Sequence, residues 1–249
     1  MRLGRIRMKS NQKSRYITFT EERLLYLSKM IINAFYNDEL ILVVIHGKQG
    51  FGKSTYASIV IAQVYGYIKT KELDPDATVF KYDWKAAKDY FAFKPKQFLK
   101  LSRRQKVKAP VCCVDDAGLW LNTMDYHHPL VKATGKFLEV ARTKWGAIIF
   151  TCSDLKQIFT KIRNMPHVYS VRISKRGAGT KVQKDRRIAI IYEGWMSEDM
   201  KKSGRKTRFV DIFYAEMPDG FYSWYKPERD KLADTGLDDI ELVLDRLGI

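Results

Sequence analysis

Between residues 40 and 54 a continuous apolar run, Leu40 to Ile45, passes directly into Gly47-Lys48-Gln49-Gly50-Phe51-Gly52-Lys53-Ser54, and few folds accommodate that juncture. An apolar run without alternation predicts a central strand covered on both faces. Tyr56 to Tyr67, with Ile59, Ile61 and Val64 among its apolar positions, predicts a helix immediately after the loop. The loop fits G-x-x-x-x-G-K-[ST] at every defined position, and a chance match in a chain this long has odds on the order of one percent.

Strand, glycine-rich loop and helix in this order form a cradle for phosphate. The glycines let the backbone curl until successive N–H groups converge, and the helix directs its positive end to the same point. Gly47 to Thr55 is therefore the expected phosphate-binding segment, with Lys48, Gln49 and Phe51 between the glycines. Lys53 is expected to reach the β- and γ-phosphates, and Ser54 to ligate magnesium through its hydroxyl.

A second motif supplies the acids such a loop needs. Val111-Cys112-Cys113-Val114 reads as a buried strand and ends in Asp115-Asp116. Asp115 is the expected magnesium ligand, through water, and Asp116 the group that orients and deprotonates the attacking water. Ala147 to Thr151 is another buried strand, followed by Cys152-Ser153-Asp154. The layout resembles the large ATPase class with an extra strand between phosphate loop and acid strand, and the resemblance implies a polar sensor of the γ-phosphate or the attacking water here. Thr151 is the first candidate and Ser153 the second; either could instead cap the following helix.

The chain has 249 residues, 45% hydrophobic and 29% charged, without internal repeat or low-complexity stretch. That is enough for one large α/β domain, or for a domain with a smaller appendage. Thr20 offers an N-cap and Leu24, Leu27, Ile31, Ala34 and Phe35 recur at helical spacing, predicting a helix of about 17 residues. Thr78 to Tyr82 reads as a strand, Asp83 as the cap of a helix Trp84 to Phe93, Pro95 as the opening of another to about Gln105, and Pro129 to Arg142 as a further helix. Strands alternating with helices imply a mostly parallel sheet with helices on both faces. Beyond residue 165, Val168 to Ile173, Arg187 to Tyr192, Arg208 to Tyr214 and Phe221 to Tyr225 read as strands joined by turns at Lys175-Arg176-Gly177 and Pro218-Asp219-Gly220. The first is expected to complete the parallel sheet and the rest to form antiparallel hairpins. A final amphipathic helix is expected from about Leu237 to Leu247, with Asp238, Asp239 and Glu241 at its start. The expected division is a basic arm and helix over 1–37, the loop-bearing core over 38–175, and a strand-rich extension ending in a helix over 176–249.

The formal net charge is +17, spread over Arg2 to Arg15, Lys94 to Lys108, Arg172 to Arg187 and Lys201 to Arg208. Such a field attracts polyanions, and DNA is the expected partner. The longest apolar run, Leu40 to Ile45, is far short of the roughly 20 residues a membrane-spanning helix needs, so a cytoplasmic protein without a membrane partner is expected. Cys112, Cys113 and Cys152 fall in buried strands and read as reduced core thiols. His127-His128 lacks a third ligand at metal-binding spacing and reads as loop.

The ordered set Gly47 to Ser54, Asp115-Asp116 and Thr151 resembles the AAA+ ATPases over about residues 38 to 175. In size, basicity and layout the whole chain resembles the DnaA-like ATPases of archaeal spindle-shaped viruses. The resemblance implies ATP and Mg2+ as cofactors, a homo-oligomer in the ATP-bound state, and a role in viral or plasmid DNA replication initiation or helicase loading, in the host cytoplasm. It also implies an arginine finger after the sensor strand, where Arg163 matches by offset; Arg142 is the rival. An AAA+ core is followed by a helical lid with a sensing arginine, whereas residues 168 to 225 read as strand-rich. A DNA-packaging or translocating ATPase, a P-loop small-molecule kinase and a nucleotide-gated binding module stand as alternatives. The aromatic run Phe221-Tyr222-Ser223-Trp224-Tyr225 fits either core packing or stacking on unpaired bases.

Overall fold

The computed structural model describes residues 18–121, 127–158, 160–163, 165, 168–175, 186–196 and 203–247. The basic arm of residues 1–17, and residues 176–177 of the turn expected after Lys175, lie outside the described residues. The chain begins with β1 (Thr18–Thr20), a single 3-10 turn at Glu21–Arg23, and α1 (Tyr26–Tyr36). The first helix is thus shorter than its spacing suggested, and Thr20 makes no side-chain cap. Leu25 occupies the N-cap of α1 and has no side-chain acceptor to offer. The cap arrives from far down the chain. The Asp211 carboxylate accepts the N–H of Tyr26 at 2.7 Å and of Leu27 at 3.3 Å, and also the Tyr56 hydroxyl at 2.6 Å.

Next come β2 (Ile41–His46), α2 (Lys53–Leu73), β3 (Val79–Lys81), α3 (Trp84–Asp89), β4 (Phe91–Ala92), α4 (Pro95–Arg104) and β5 (Ala109–Val114). Asp83 caps α3 as expected, its carboxylate accepting the Ala86 N–H at 2.9 Å. After β5 follow α5 (Pro129–Val140), β6 (Trp145–Cys152), the short α6 (Thr160–Arg163), β7 (Val168–Lys175), β8 (Arg186–Met196), β9 (Ser203–Tyr214) and α7 (Asp219–Leu247).

Seven strands form one mixed sheet in the order β4-β5-β6-β2-β7-β8-β9, while β1 and β3 form a small antiparallel ribbon beside it. β4, β5, β6, β2 and β7 are parallel. β8 is antiparallel to β7 and β9 antiparallel to β8, giving the expected strand-rich antiparallel region as a continuation of the same sheet. β2 and β6 are buried along nearly their whole length, as their unbroken apolar sequences require. One core lies on the face that packs Val43, Ile45 and Ile149 against α1 and α2; the other packs Val44, Ile148 and Phe150 with Leu138 of α5 and Ile162 of α6. α2 buries Tyr56, Ile59, Val60, Ile61 and Val64, so it is apolar around most of its circumference, the condition for an interior helix. No helix among the described residues is long and apolar enough to cross a membrane.

The segment Phe221 to Tyr225 is not a strand, and Leu237–Leu247 is not a separate helix. Both belong to α7, which runs 29 residues with Pro227 inside it. The Pro218-Asp219-Gly220 signal marks a helix start: the N–H groups of Phe221 and Tyr222 both donate to the Pro218 carbonyl at 2.9 Å. Phe221 and Tyr225, four residues apart, fall on one side and bury against the core, where Phe221 meets Trp84 and Phe91 at centroid separations of 5.5 and 6.2 Å. Aromatic content drew the strand expectation, and helical spacing of the two buried rings explains its failure.

Asp211 links α1, α2 and β9, and its removal would leave two buried N–H groups and a buried hydroxyl without their acceptor. Asp211→Ala is expected to lower unfolding stability by about 2–4 kcal/mol in urea titration. Asp211→Asn, which keeps one acceptor oxygen, is expected to lose less.

Candidate functional site

The loop between β2 and α2 lies at the carboxyl edge of the parallel strands, where β5 and β6 also end. Its glycines are constrained individually. A Cβ on Gly47 would come within 2.7 Å of the Ile173 carbonyl oxygen. Gly52, with φ of 90°, is the N-cap of α2 and offers no side chain, so the first N–H groups of that helix face outward without side-chain partners. Lys48, Gln49 and Gly50 form the exposed tip, and Lys175 lies 5.4 Å from the Phe51 ring centroid.

Lys53 folds back over the loop, donating to the carbonyls of Gly47 at 3.0 Å and Lys48 at 3.3 Å. Burial lowers its pKa, and the carboxylates of Asp116 and Asp115 act in the opposite direction. The Ser54 hydroxyl meets the Asp115 carboxylate at 2.8 Å, so the two residues expected to share a magnesium ion are brought together. Asp115 has no exposed surface. It also accepts from Thr151 Oγ1 at 2.6 Å and from the Tyr225 hydroxyl at 2.8 Å.

Asp116 adopts a left-handed backbone, φ 47°, unusual for a residue other than glycine, and its N–H donates to Thr151 Oγ1 at 2.8 Å. That turn leaves its carboxylate 3.8 Å from the Arg229 guanidinium. Burial, then repulsion from Asp115, raises the Asp116 pKa, while Arg229 and Lys53 oppose the rise. Thr151 thus engages both acids with one hydroxyl. It does not cap the turn that follows; Asp154 does, with its carboxylate accepting the Lys156 N–H at 2.8 Å, and Ser153 is exposed.

Four residues that line this site were not assigned to it from the sequence. β9 runs in the same direction as β2, so the chain leaves it at the carboxyl edge, and α7 then lies against the loop. Tyr222, Tyr225 and Arg229 from α7 and Arg187 from β8 line a cavity of about 240 Å³ with Gly52, Lys53, Ser54 and Thr55. Tyr225 reaches Asp115, and its pKa is raised, chiefly by burial and then by Asp115, so it remains a hydroxyl donor. Arg229 Nη1 lies 3.3 Å from the Tyr225 hydroxyl. Arg187 is 7% exposed. The spacing of Tyr225 and Arg229, four residues apart, would have paired them once the segment was read as a helix.

The two finger candidates are elsewhere. Arg163 donates to Thr160 of its own short helix at 2.9 Å and does not line the cavity. Arg142 lies 3.9 Å from Asp38, which precedes β2 and so marks the opposite edge of the sheet. His128 caps α5, its Nδ1 accepting the Leu130 N–H at 3.2 Å, and no metal-binding group of His, Cys, Asp or Glu occurs among the described residues. The three cysteines are buried and free.

The donor set fits the groups the loop implies. Ser54 and Asp115 offer hard oxygen ligands of the kind magnesium takes, and the uncapped start of α2 with Lys53, Arg187 and Arg229 offers a concentration of positive charge suited to a polyphosphate.

No family model matches the chain. An uncharacterized protein of Sulfolobus spindle-shape virus 1, B-251, is 26% identical over 230 residues, which cover 89% of this chain and 86% of that protein. An uncharacterized protein of Acidianus two-tailed virus, ORF286, is 24% identical over 164 residues, 63% of this chain and 51% of its own length. Among solved structures, the N-terminal domain of zonular occludens toxin from Neisseria meningitidis matches with a TM-score of 0.35 and 14% identity, over 74% of this chain and 97% of that one. Both sequence relatives named here are viral proteins.

Proposed function

We propose that this chain is a magnesium-dependent ATPase that couples hydrolysis to work on DNA in viral replication, as a DnaA-like member of the AAA+ class. The observation that carries the reading is the meeting of the Ser54–Asp115 pair, Lys53, Asp116 and two further arginines around the uncapped N-terminus of α2.

The loop N–H groups and Lys53 hold the phosphates, and in doing so Lys53 exchanges its bonds to the Gly47 and Lys48 carbonyls for phosphate oxygens. Ser54 and Asp115 would hold magnesium, which when bound neutralises charge on the β- and γ-phosphates. Asp116 orients a water and takes its proton as the water oxygen attacks phosphorus and the diphosphate leaves. Thr151 acts by fixing both acids rather than by touching phosphate. Arg229 fills the part of the sensing arginine that follows an AAA+ core, delivered by α7 although strands precede it. Arg163 remains the candidate finger for a neighbouring subunit in an ATP-bound oligomer.

The Tyr225 hydroxyl and a magnesium ion would draw on the same carboxylate, whose electron density the hydrogen bond reduces. The basic surface, including the exposed Arg103 and Arg104 at the end of α4, serves DNA. Net charge of +17 supports that partner.

Lys53→Ala is expected to reduce ATP turnover by about a hundredfold or more, because it removes the cation in the phosphate cradle. Asp116→Asn is expected to bind ATP without hydrolysing it, and Asp115→Asn to lose magnesium-dependent binding. Turnover unchanged in purified Lys53→Ala would overturn the enzyme reading.

Tyr225→Phe removes one donor from a buried carboxylate. It is expected to destabilise the nucleotide-free protein by about 1–2 kcal/mol while tightening magnesium–ATP binding, read by urea titration and by nucleotide fluorescence. Weaker nucleotide binding in this variant would show that Tyr225 supports the ligand rather than competing with it.

For DNA, log affinity is expected to fall linearly with log salt, and Arg103→Ala with Arg104→Ala to reduce the slope by roughly one unit per lost phosphate contact, leaving ATP affinity unchanged. A slope near zero for the unaltered chain would assign the positive charge to something other than nucleic acid.

A further inference from the structure

A second cavity of about 240 Å³ lies on the face away from α2, between α4 and α5. Phe98, Leu99, Trp120, Leu130, Ala133 and Phe137 make it an apolar groove. Leu99, a residue normally covered, is 49% exposed. The indole N–H of Trp120 is buried, without an acceptor among the described residues. Lys96 lines the groove, and Lys100, Lys132 and Lys136, each next in sequence to a lining residue, are exposed. Its occupant should therefore be apolar on one side and acidic on the other.

One segment of this basic chain has that chemistry. Residues 232–247 carry Leu232, Leu237, Ile240, Leu244 and Leu247 at intervals of three to five residues, with Asp234, Asp238, Asp239, Glu241 and Asp245 against Arg246 alone. The segment is the far end of α7, whose 29 residues extend about 43 Å at 1.5 Å per residue. Only the first turns of α7 lie at the nucleotide pocket, α3 is its main packing partner, and Leu244 is 38% exposed. No α7 residue lines the groove of its own chain among the described residues.

We propose that the α4–α5 groove receives the acidic C-terminal end of α7 from a second copy of this chain. The apolar side of the helix, with Leu232 and Leu244 on it, fills the groove, and the lysines at its rim pair with the helix's acids. This is helix-in-groove recognition with complementary charge. Donor and acceptor are different surfaces, so the contact is head-to-tail and each bound copy leaves one free groove and one free helix end, which closes into a ring or grows as a filament. The proposal stands apart from the nucleotide reading, and either can fail without the other.

Sedimentation velocity of the full chain, from about 1 to 100 μM, tests it. The unaltered chain is expected to assemble with concentration. Leu99→Asp in the groove and Leu244→Asp on the helix each place a charge in the apolar contact and are expected to weaken assembly at least about tenfold. Both sites are partly exposed, and unchanged thermal unfolding confirms that each variant is folded. The deciding arm mixes the two variants: one retains a working helix and the other a working groove, so the mixture is expected to form dimers and nothing larger. A chain that stays monomeric throughout, assembly indifferent to either substitution, or a mixture that remains monomeric would overturn the proposal.

Discussion

Burying a carboxylate with no exposed surface is costly unless donors surround it, and Asp115 draws those donors from three separate elements. Ser54 comes from the start of α2, Thr151 from the end of β6 and Tyr225 from α7. Each hydroxyl fixes its own element at the carboxyl edge of the sheet. The phosphate loop is held between β2 and α2, Asp116 is turned by its N–H contact to Thr151, and α7 is drawn across the opening. The electrostatics follow from the same placement. Burial, and then Asp115, raise the pKa of Asp116, and the positive groups Arg229 and Lys53 oppose that rise.

Asp211 plays a comparable part on the helical face. β9 carries it to the first turn of α1, where the local sequence provides no cap, and to the Tyr56 hydroxyl one turn into α2. The nearby stacking of Tyr26 on Phe209, with centroids 4.8 Å apart, joins the same two elements. The C-terminal strands are consequently part of what shapes the glycine-rich loop, because the chain emerging from β9 passes Gly52 so closely that a Cβ there would stand 3.0 Å from that of Ala215.

How much of this could be read from residue order depends on how local each interaction is. The glycine-rich loop, the apolar strands β2, β5 and β6, the cap at Asp83 and the helix start at Pro95 rest on neighbours within a few positions, and the sequence describes them directly. The pairing of Ser54 with Asp115 spans 61 residues yet was still legible, since each belongs to a motif whose position in a parallel sheet is set by strand direction. Tyr225 and Arg229 reach the pocket only because two antiparallel strands return the chain to the carboxyl edge, an event that no short pattern encodes, while Arg187 stands at the start of β8, opposite Lys175 at the end of β7. The aromatic density of Phe221 to Tyr225 favoured a strand, and tertiary burial of two rings on one side of a helix overrode that preference. The cap of α1 was missed for a related reason: its donor and acceptor are 185 residues apart.

α7 begins against the pocket and ends far from it, and this gives it the properties of a lever arm. A tilt of about ten degrees at the pocket end would carry the far end of a helix about 43 Å long through roughly 7 Å. Angular change at the site is thereby converted into translation at the molecular periphery, with the gain set by helix length alone. Shortening α7 from its C-terminal end would leave the chemistry untouched and reduce that travel in proportion.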